Sequence, residues 1–476
     1  MDQFQTPLYD SLVRHRQKEP ISLHVPGHKS GILFWEQSFY KDILKIDVTE
    51  LRGLDDLHSP EEAIFEAEDL LSHLYETKRS FFLVNGSTVG NLAMIMATIK
   101  EGQTVLVQRN CHKSVLNGIY LTKGNPVLLG PEYNENWGVA GGVSVETVKR
   151  AIQLYPDSKA LILTYPNYYG MVTEIEDIIK LAHSHHIPVL IDEAHGAHFI
   201  AGEYFPPSAL QLGADVVVQS AHKTLPAMTM GSYLHVNGDR VSVEAINRYL
   251  RILQSSSPSY PIMASLDLAR SFLGTMTTND LKYLREQNDA FRAKLKEIKA
   301  IELLDYPDGI GDPLKITIQS KTVLSGFELQ KLFEAEGIFT ELADPYNVLF
   351  TLPLLREGFS FPFDQIIEKM KKALASYSEK SQHHKQSFFK KSAITNLYIQ
   401  ESLTKNEDWV RIDESVGYIC AEQITPYPPG IPLLIPGEKI EKEDVASLQL
   451  LLNSGASFQG GNQLVLGKIK VFFKDK

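Results

Sequence analysis

Between Phe81 and Val236 the chain passes through seven short apolar runs, FFLV, TVLVQ, NPVLL, KALILTYP, IPVLID, DVVVQ and GSYLHV. Stretches of helical periodicity, among them STVGNLAMIMATIK, VETVKRAIQLY and IEDIIKLAHSHH, separate several of these runs. No other feature narrows the possible folds as far. Runs rich in Val, Ile and Leu, without polar alternation, suit strands covered on both faces, and the intervening helices supply the covers. The expectation is an α/β protein with a mostly parallel sheet. Just before the alternation, EAIFEAEDLLSHLYE from Glu62 to Glu76 sets Ile64, Ala67, Leu70, Leu71 and Leu74 on one stripe, which predicts an amphipathic helix.

The texture changes beyond about Val236. Long helical segments, VEAINRYLRILQ, LDLARSFLGTM and a charged one running to Lys299, precede a strand-like PLKITIQS, a helical GFELQKLFEAEG and an apolar NVLFTLPL. These read as a smaller α+β domain. The polar SEKSQHHKQSFFKKS at 378 to 392 reads as a linker or exposed helix end, followed by a compact C-terminal unit. A chain of 476 residues exceeds what one core serves, so several domains are expected. The boundaries read as an N-terminal segment at 1–60, a large domain at 61–275, a small α+β domain at 276–380 and a C-terminal domain at 381–476.

Composition excludes several classes. With 43% hydrophobic and 22% charged residues the chain is an ordinary globular one, and its net charge of -11 argues against general nucleic-acid binding while favouring cationic small partners. Cys111 and Cys420 alone give neither a disulfide framework nor metal-ligand spacing. The N-terminal MDQFQTPLYDSLVRHRQKEP has no apolar core of a signal peptide, and no uninterrupted apolar stretch reaches membrane-spanning length. A cytoplasmic protein that does not engage membranes is expected.

Open parallel sheets bind ligands at the carboxyl ends of their strands, so chemistry is sought there. After FFLV comes NGSTVGN, where Ser87 and Thr88 open a helix and offer hydroxyls and free N–H groups to a phosphate; the same residues also serve as plain helix caps. It is neither a Walker loop nor a G-x-G-x-x-G fingerprint. After TVLVQ comes RNCHKS, whose His112 is either a stacking ring or an ordinary loop histidine. IPVLID ends on Asp192, which is either a cap or the partner of a positive group. His195 and His198 follow it without a third ligand nearby, so no metal site is expected, and HSHH at 183 to 186 suits a helix C-terminus. After DVVVQ comes SAHK, which puts Lys223 at the end of one of the driest strands.

Phosphate cradle, flat ring, carboxylate and lysine are together what pyridoxal 5'-phosphate requires: a phosphate, a planar ring, a ring nitrogen to be kept protonated and an aldehyde to be condensed with an amine. Dryness at Lys223 then has a purpose, since desolvation favours the neutral, nucleophilic amine. The motifs LHVPGHKSG from Leu23, NGSTVGN, RNCHKS, DEAHGAH, SAHKTL, SSSPSYPIMASLD and TPYPPGIPLLIPGE resemble those of the Orn/Lys/Arg decarboxylases, enzymes of the aspartate-aminotransferase fold type. The resemblance runs from Leu23 to about Glu438 and is closest to the short form found in Gram-positive bacteria, without the N-terminal wing domain of the larger members.

Carried over to this chain, the resemblance implies that Lys223 condenses with the cofactor aldehyde, with His222 beside it. Asp192 would pair with the pyridine nitrogen, Ser87, Thr88 and Ser220 would bind the phosphate, and His112 would stack on the ring. His195 stands where larger members have tryptophan. Ser256 or Ser257 would reach the cofactor of a neighbouring subunit, so a homodimer or higher homo-oligomer with shared sites is implied. Glu422 is a candidate for the substrate's distal cation. The implied reaction is decarboxylation of a basic amino acid, arginine before lysine or ornithine, feeding polyamine formation. An aminotransferase or aldolase-like enzyme would share the cofactor set but would bring an arginine for the substrate carboxylate. A non-catalytic regulator would not need Asp192, His112 and Lys223 intact, and a dinucleotide-dependent oxidoreductase lacks its glycine fingerprint.

Overall fold

The computed structural model describes residues 1–34, 39–379, 394–397, 406–427 and 430–472. The chain divides into one unit of Met1–Thr98 and Pro188–Thr277 and a second of Ile99–Ile187 and Thr278–Lys476.

In the first unit the strands lie in the order Arg79–Leu83, Ser232–Val236, Val216–Gln219, Val189–Asp192. Val189–Asp192 and Val216–Gln219 are parallel, with Asp192 opposite Val218. Every residue of both is buried, as the unbroken apolar runs require. Ser232–Val236 is antiparallel to both of its neighbours in this unit. The connection leading to it holds only the one-turn helix Ala221–Thr224, too little for the helical crossover that a parallel return needs. The periodic segment before the first strand forms the helix Ala63–Leu74, burying Ile64, Ala67, Leu70 and Leu71.

An N-terminal helix, Pro7–Gln17, was not anticipated from periodicity. Its start is held from outside the segment: Asp267 Oδ2 accepts from the N–H groups of Leu8 (3.1 Å) and Tyr9 (3.3 Å), which the first turn of a helix leaves without partners. Asp267 in turn is paired with the fully buried Arg270, which also donates to the Gln3 carbonyl at 2.9 Å.

In the second unit Leu161–Thr164, Thr104–Gln108 and Asn125–Leu129 form parallel neighbours, and Ile394–Asn396 adds to the last of them antiparallel, with Ile394 opposite Leu129. The helices Lys113–Thr122, Val145–Leu154 and Ile175–Ser184 accompany them, the last ending at His185 as HSHH suggested. Thus five of the eight strands named so far run parallel to a neighbour, and the α/β class expected from the alternation is what the chain adopts.

The small α+β region is an antiparallel sheet in the order Ile301–Leu303, Lys315–Ser320, Asn347–Thr351, Leu342–Ala343. Its helix Gly326–Ala335 opens with a capping box formed by Ser325 and Glu328. The C-terminal region pairs Glu407–Arg411 and Ile419–Cys420 with the strand Lys468–Phe472, over a core that includes Cys420, Ile424, Leu434, Leu448 and Ile469. Most of the polar segment at 378 to 392 lies outside the described residues. No helix among the described residues is long and apolar enough to cross a membrane.

Candidate active site

The first unit gathers most of the predicted residues at the ends of its strands. The helix Gly86–Thr98 begins at Gly86, whose φ of +78° is disfavoured for side chains, and Gly86 N–H donates to the Met230 carbonyl at 2.9 Å. Farther along, Gly90 lets the helix press on the sheet: a Cβ there would lie 2.8 Å from Leu83 and from Val218. The helix N-terminus is thereby fixed above the strand ends. Ser220 Oγ donates to Ser87 Oγ at 2.8 Å, so two hydroxyls stand together beside the first turn of that helix, while Thr88 is exposed. Hydroxyls and helix N–H groups are the donors that a phosphate dianion uses.

Asp192 ends its strand with only 3% of its surface exposed. Its Oδ2 accepts from Asn91 Nδ2 at 2.9 Å and its Oδ1 from the Ala194 N–H at 3.2 Å, so the carboxylate plane is set by two donors. Lys223 is half-buried, with Nζ 3.1 Å from Nε2 of the buried His195. His222 is tied to the main chain: its N–H and its Nδ1 both reach the Gly231 carbonyl, at 3.1 and 2.9 Å. A carbonyl only accepts, so Nδ1 carries a proton. Ser256 and Ser257 are exposed in a loop fastened to the NGS turn through Ser255 N–H and Asn85 Oδ1, 3.3 Å apart.

His112 and Glu422 belong to the second unit. His112 caps the helix Lys113–Thr122, its Nδ1 accepting from the Ser114 N–H at 3.2 Å. Glu422 is half-buried, and its carboxylate accepts from the main-chain N–H groups of Gly461 (3.1 Å) and Lys470 (2.8 Å). Burial holds that carboxyl above the ordinary range, against these hydrogen bonds. Its observed work is thus to pin two backbone segments. Of the Pro-rich turn that follows, Pro428 and Pro429 lie outside the described residues.

The family model for the major domain of Orn/Lys/Arg decarboxylase matches residues 6–308, and that for the C-terminal domain of the same enzymes matches 379–465. The chain belongs to the Orn/Lys/Arg decarboxylase family. Members of this family are pyridoxal-phosphate-dependent amino acid decarboxylases. The chain is 44% identical to the uncharacterized protein YaaO of Bacillus subtilis (strain 168), over 99% of both sequences. It is 33% identical to an arginine decarboxylase of the same organism, over 100% of this chain and 99% of the relative. Among solved structures it resembles the lysine decarboxylase LdcF of Francisella novicida, with a TM-score of 0.80, 22% identity, and coverage of 99% of this chain and 81% of that one. That likeness shows that the chain shares the fold of that decarboxylase.

The residues of the first unit suit the cofactor of this family. Paired hydroxyls at a helix N-terminus match a phosphate, an oriented buried carboxylate matches a protonated ring nitrogen, and a lysine amine is placed on the same unit. Two contributors were missed in the sequence. Asn91, which sets the Asp192 carboxylate, stands one helical turn after Ser87, a spacing that puts both on the same helix face and was available in NGSTVGN.

The second is Glu193, fully buried next to Asp192, which accepts from the Ala209 N–H (2.7 Å), Ser208 Oγ (2.8 Å) and Gln219 Nε2. Burial pushes its carboxyl up to about 7 although those three hydrogen bonds oppose the shift. Gln219 Oε1 continues the chain to His235 Nε2 at 3.1 Å, and His235 Nδ1 lies 2.7 Å from Ser80 Oγ. Desolvation lowers His235 to about 3, so it is neutral, with its proton on Nε2 and Ser80 donating to Nδ1. Four neighbouring strand regions are thus laced together beneath Asp192 and Ser220.

Proposed function

We propose that this decarboxylase acts on a basic amino acid, L-arginine first, with lysine and ornithine as the alternative substrates, and releases the amine and carbon dioxide. The observation that carries the reading is the cluster in the first unit: Lys223 Nζ against His195, and close by in sequence an Asp192 carboxylate locked by Asn91. The choice of arginine is supported by the 33% identity, along the whole chain, to a relative named arginine decarboxylase. The amine product would feed polyamine formation, and the ordinary globular composition of the acidic chain is compatible with a cytoplasmic setting. The division into 1–60, 61–275, 276–380 and 381–476 stands as part of the same reading.

In this account Ser87, Thr88 and Ser220, with the N–H groups of the first helical turn, hold the phosphate of the cofactor. His112 would stack on its ring, and Asp192 would keep the ring nitrogen protonated. When bound, pyridoxal phosphate supplies an aldehyde for amines and an electron-withdrawing ring that accepts the electrons of the breaking Cα–carboxylate bond. Asp192 is preorganised for that charge shift, because its two donors fix it before the reaction and burial limits screening by water. Lys223 would be the residue that holds the cofactor through its aldehyde and gives way to the amine of the substrate. A proton must come back to the same carbon; Lys223 Nζ and the ring of His222, turned by its hold on the Gly231 carbonyl, are the groups assigned to deliver it. For the distal cation of the substrate, Glu422 is the residue proposed.

A second copy of the chain is the partner this reading requires. Ile21, Leu23, Val25, Ile32 and Leu33 are all exposed, Leu23 to 92%, a concentration of apolar surface in one short segment that favours burial by a partner. Ser256 and Ser257 are likewise exposed and would be supplied to the neighbour's cofactor. The test is a titration of the purified chain with pyridoxal phosphate, followed by visible absorption. The unsubstituted protein should develop the band of a lysine-bound cofactor, and Lys223→Ala should not. An unchanged band in Lys223→Ala would show that another lysine is used.

A further inference from the structure

The loop after the strand Thr104–Gln108 is gripped by the C-terminal region at Arg109, His112 and Lys113. Arg109 Nε and Nη2 donate to the two carboxylate oxygens of Glu438 at 2.8 and 2.7 Å, Nη1 donates to the Pro432 carbonyl at 2.8 Å, and Nη2 also reaches the Leu433 carbonyl at 3.1 Å. Both members of the pair are buried. Lys113 donates its N–H to the Gly430 carbonyl at 3.2 Å and its ammonium to Gln459 Oε1.

The His112 ring is held between these anchors. On one edge Nδ1 accepts from the Ser114 N–H and lies 2.8 Å from Ser114 Oγ. A main-chain N–H only donates, so Nδ1 is bare and the neutral ring carries its proton on Nε2. On the other edge stands Gly430, with φ +91°; a Cβ there would lie 3.1 Å from Cδ2 and 3.2 Å from Nε2 of the ring, tighter than ordinary contact. Glycine is needed at this position for two separate reasons, the backbone angle and the closeness of the ring. The bidentate Arg109–Glu438 pair fixes the chain on which Gly430 is carried.

We infer that Gly430 and the Arg109–Glu438 pair are positioning residues that set the plane of the His112 ring, so that the C-terminal domain governs how tightly the cofactor is held. This rests on the reading of His112 as the residue stacked on the cofactor. If the pair and the glycine only joined parts of the chain, their loss would be felt equally whether or not the ring was present.

The experiment is a double-mutant cycle on the full chain, with His112→Ala, Gly430→Ala and the double variant. It is read by the dissociation constant for pyridoxal phosphate and by the circular dichroism of the bound cofactor in the visible. Gly430→Ala should weaken binding about tenfold and change the visible dichroism, whereas in the His112→Ala background it should add nothing; tenfold corresponds to ~1.4 kcal/mol. Far-ultraviolet dichroism of the apoprotein establishes that each variant folds. Should Gly430→Ala fail to fold, Gly430→Asn takes its place, since asparagine tolerates positive φ and brings the same Cβ toward the ring. An equal loss in both backgrounds, or wild-type binding by the Gly430 variant, would overturn the inference. A cofactor band missing from the unsubstituted chain would overturn the underlying reading, and the inference with it.

Discussion

Asp192 keeps a carboxylate in a nearly water-free place, and what makes this tenable is the pair of donors, Asn91 Nδ2 and the Ala194 N–H, that meet its two oxygens. A hydrogen bond to a charged group is worth about 1.5–3 kcal/mol. Asn91→Ala should therefore lower kcat about ten- to a hundredfold, with a much smaller change in cofactor affinity; an unaltered kcat would show that the side-chain bond is dispensable. Glu193, the next residue, gives a prediction for pH. Its folded-state value of about 7 lies above the ordinary 4.5, so the folded protein retains a proton that the unfolded chain releases. The stability this group contributes is full below about 4.5 and is lost as the pH rises through about 7. Glu193→Gln cannot ionise. Its thermal midpoint relative to the wild type should therefore shift in the variant's favour between pH 5 and pH 8, and a pH-independent difference would contradict the assignment. Glu68 is also raised to about 7, chiefly by burial, but it is common to both proteins and cancels in the comparison.

Strands and helices were legible to different depths. The runs DVVVQ and IPVLID announced Val216–Gln219 and Val189–Asp192 because strands buried on both faces leave an unbroken apolar record. For the same reason Asp192, the last residue of one of them, and Lys223, shortly past the other, could be picked out as polar groups at the ends of dry strands. The antiparallel course of Ser232–Val236 was not legible, since apolarity reports burial and not direction. The helix Pro7–Gln17 was missed because its start depends on Asp267, a partner far along the chain. Glu193 was overlooked for a related reason, since it acts through contacts that exist only after folding, whereas Asn91 left a trace in its spacing from Ser87. The Arg109–Glu438 pair belongs to the same class. Breaking one side of a buried pair costs about 3–5 kcal/mol, so Glu438→Ala should lower the thermal midpoint by many degrees, to be checked by calorimetry, and a shift within a degree or two would mean that the pair is not a stabilising anchor.

At the scale of the whole molecule, family membership and the clustered site residues point to one chemistry, loss of carbon dioxide from a basic amino acid, and association of two chains is the proposal attached to the exposed apolar segment from Ile21 to Leu33. Sedimentation equilibrium should accordingly give a mass of at least twice 53.5 kDa, and a stable monomer would remove the shared-site element of the account. The central claim is tested most directly by supplying the purified protein with pyridoxal phosphate and an equal mixture of arginine, lysine and ornithine, and identifying the amines formed by mass spectrometry. Agmatine as the dominant product is the result this account predicts. Cadaverine or putrescine in its place would keep the decarboxylase and correct the substrate. No amine from any of the three, with the cofactor visibly bound, would contradict the account.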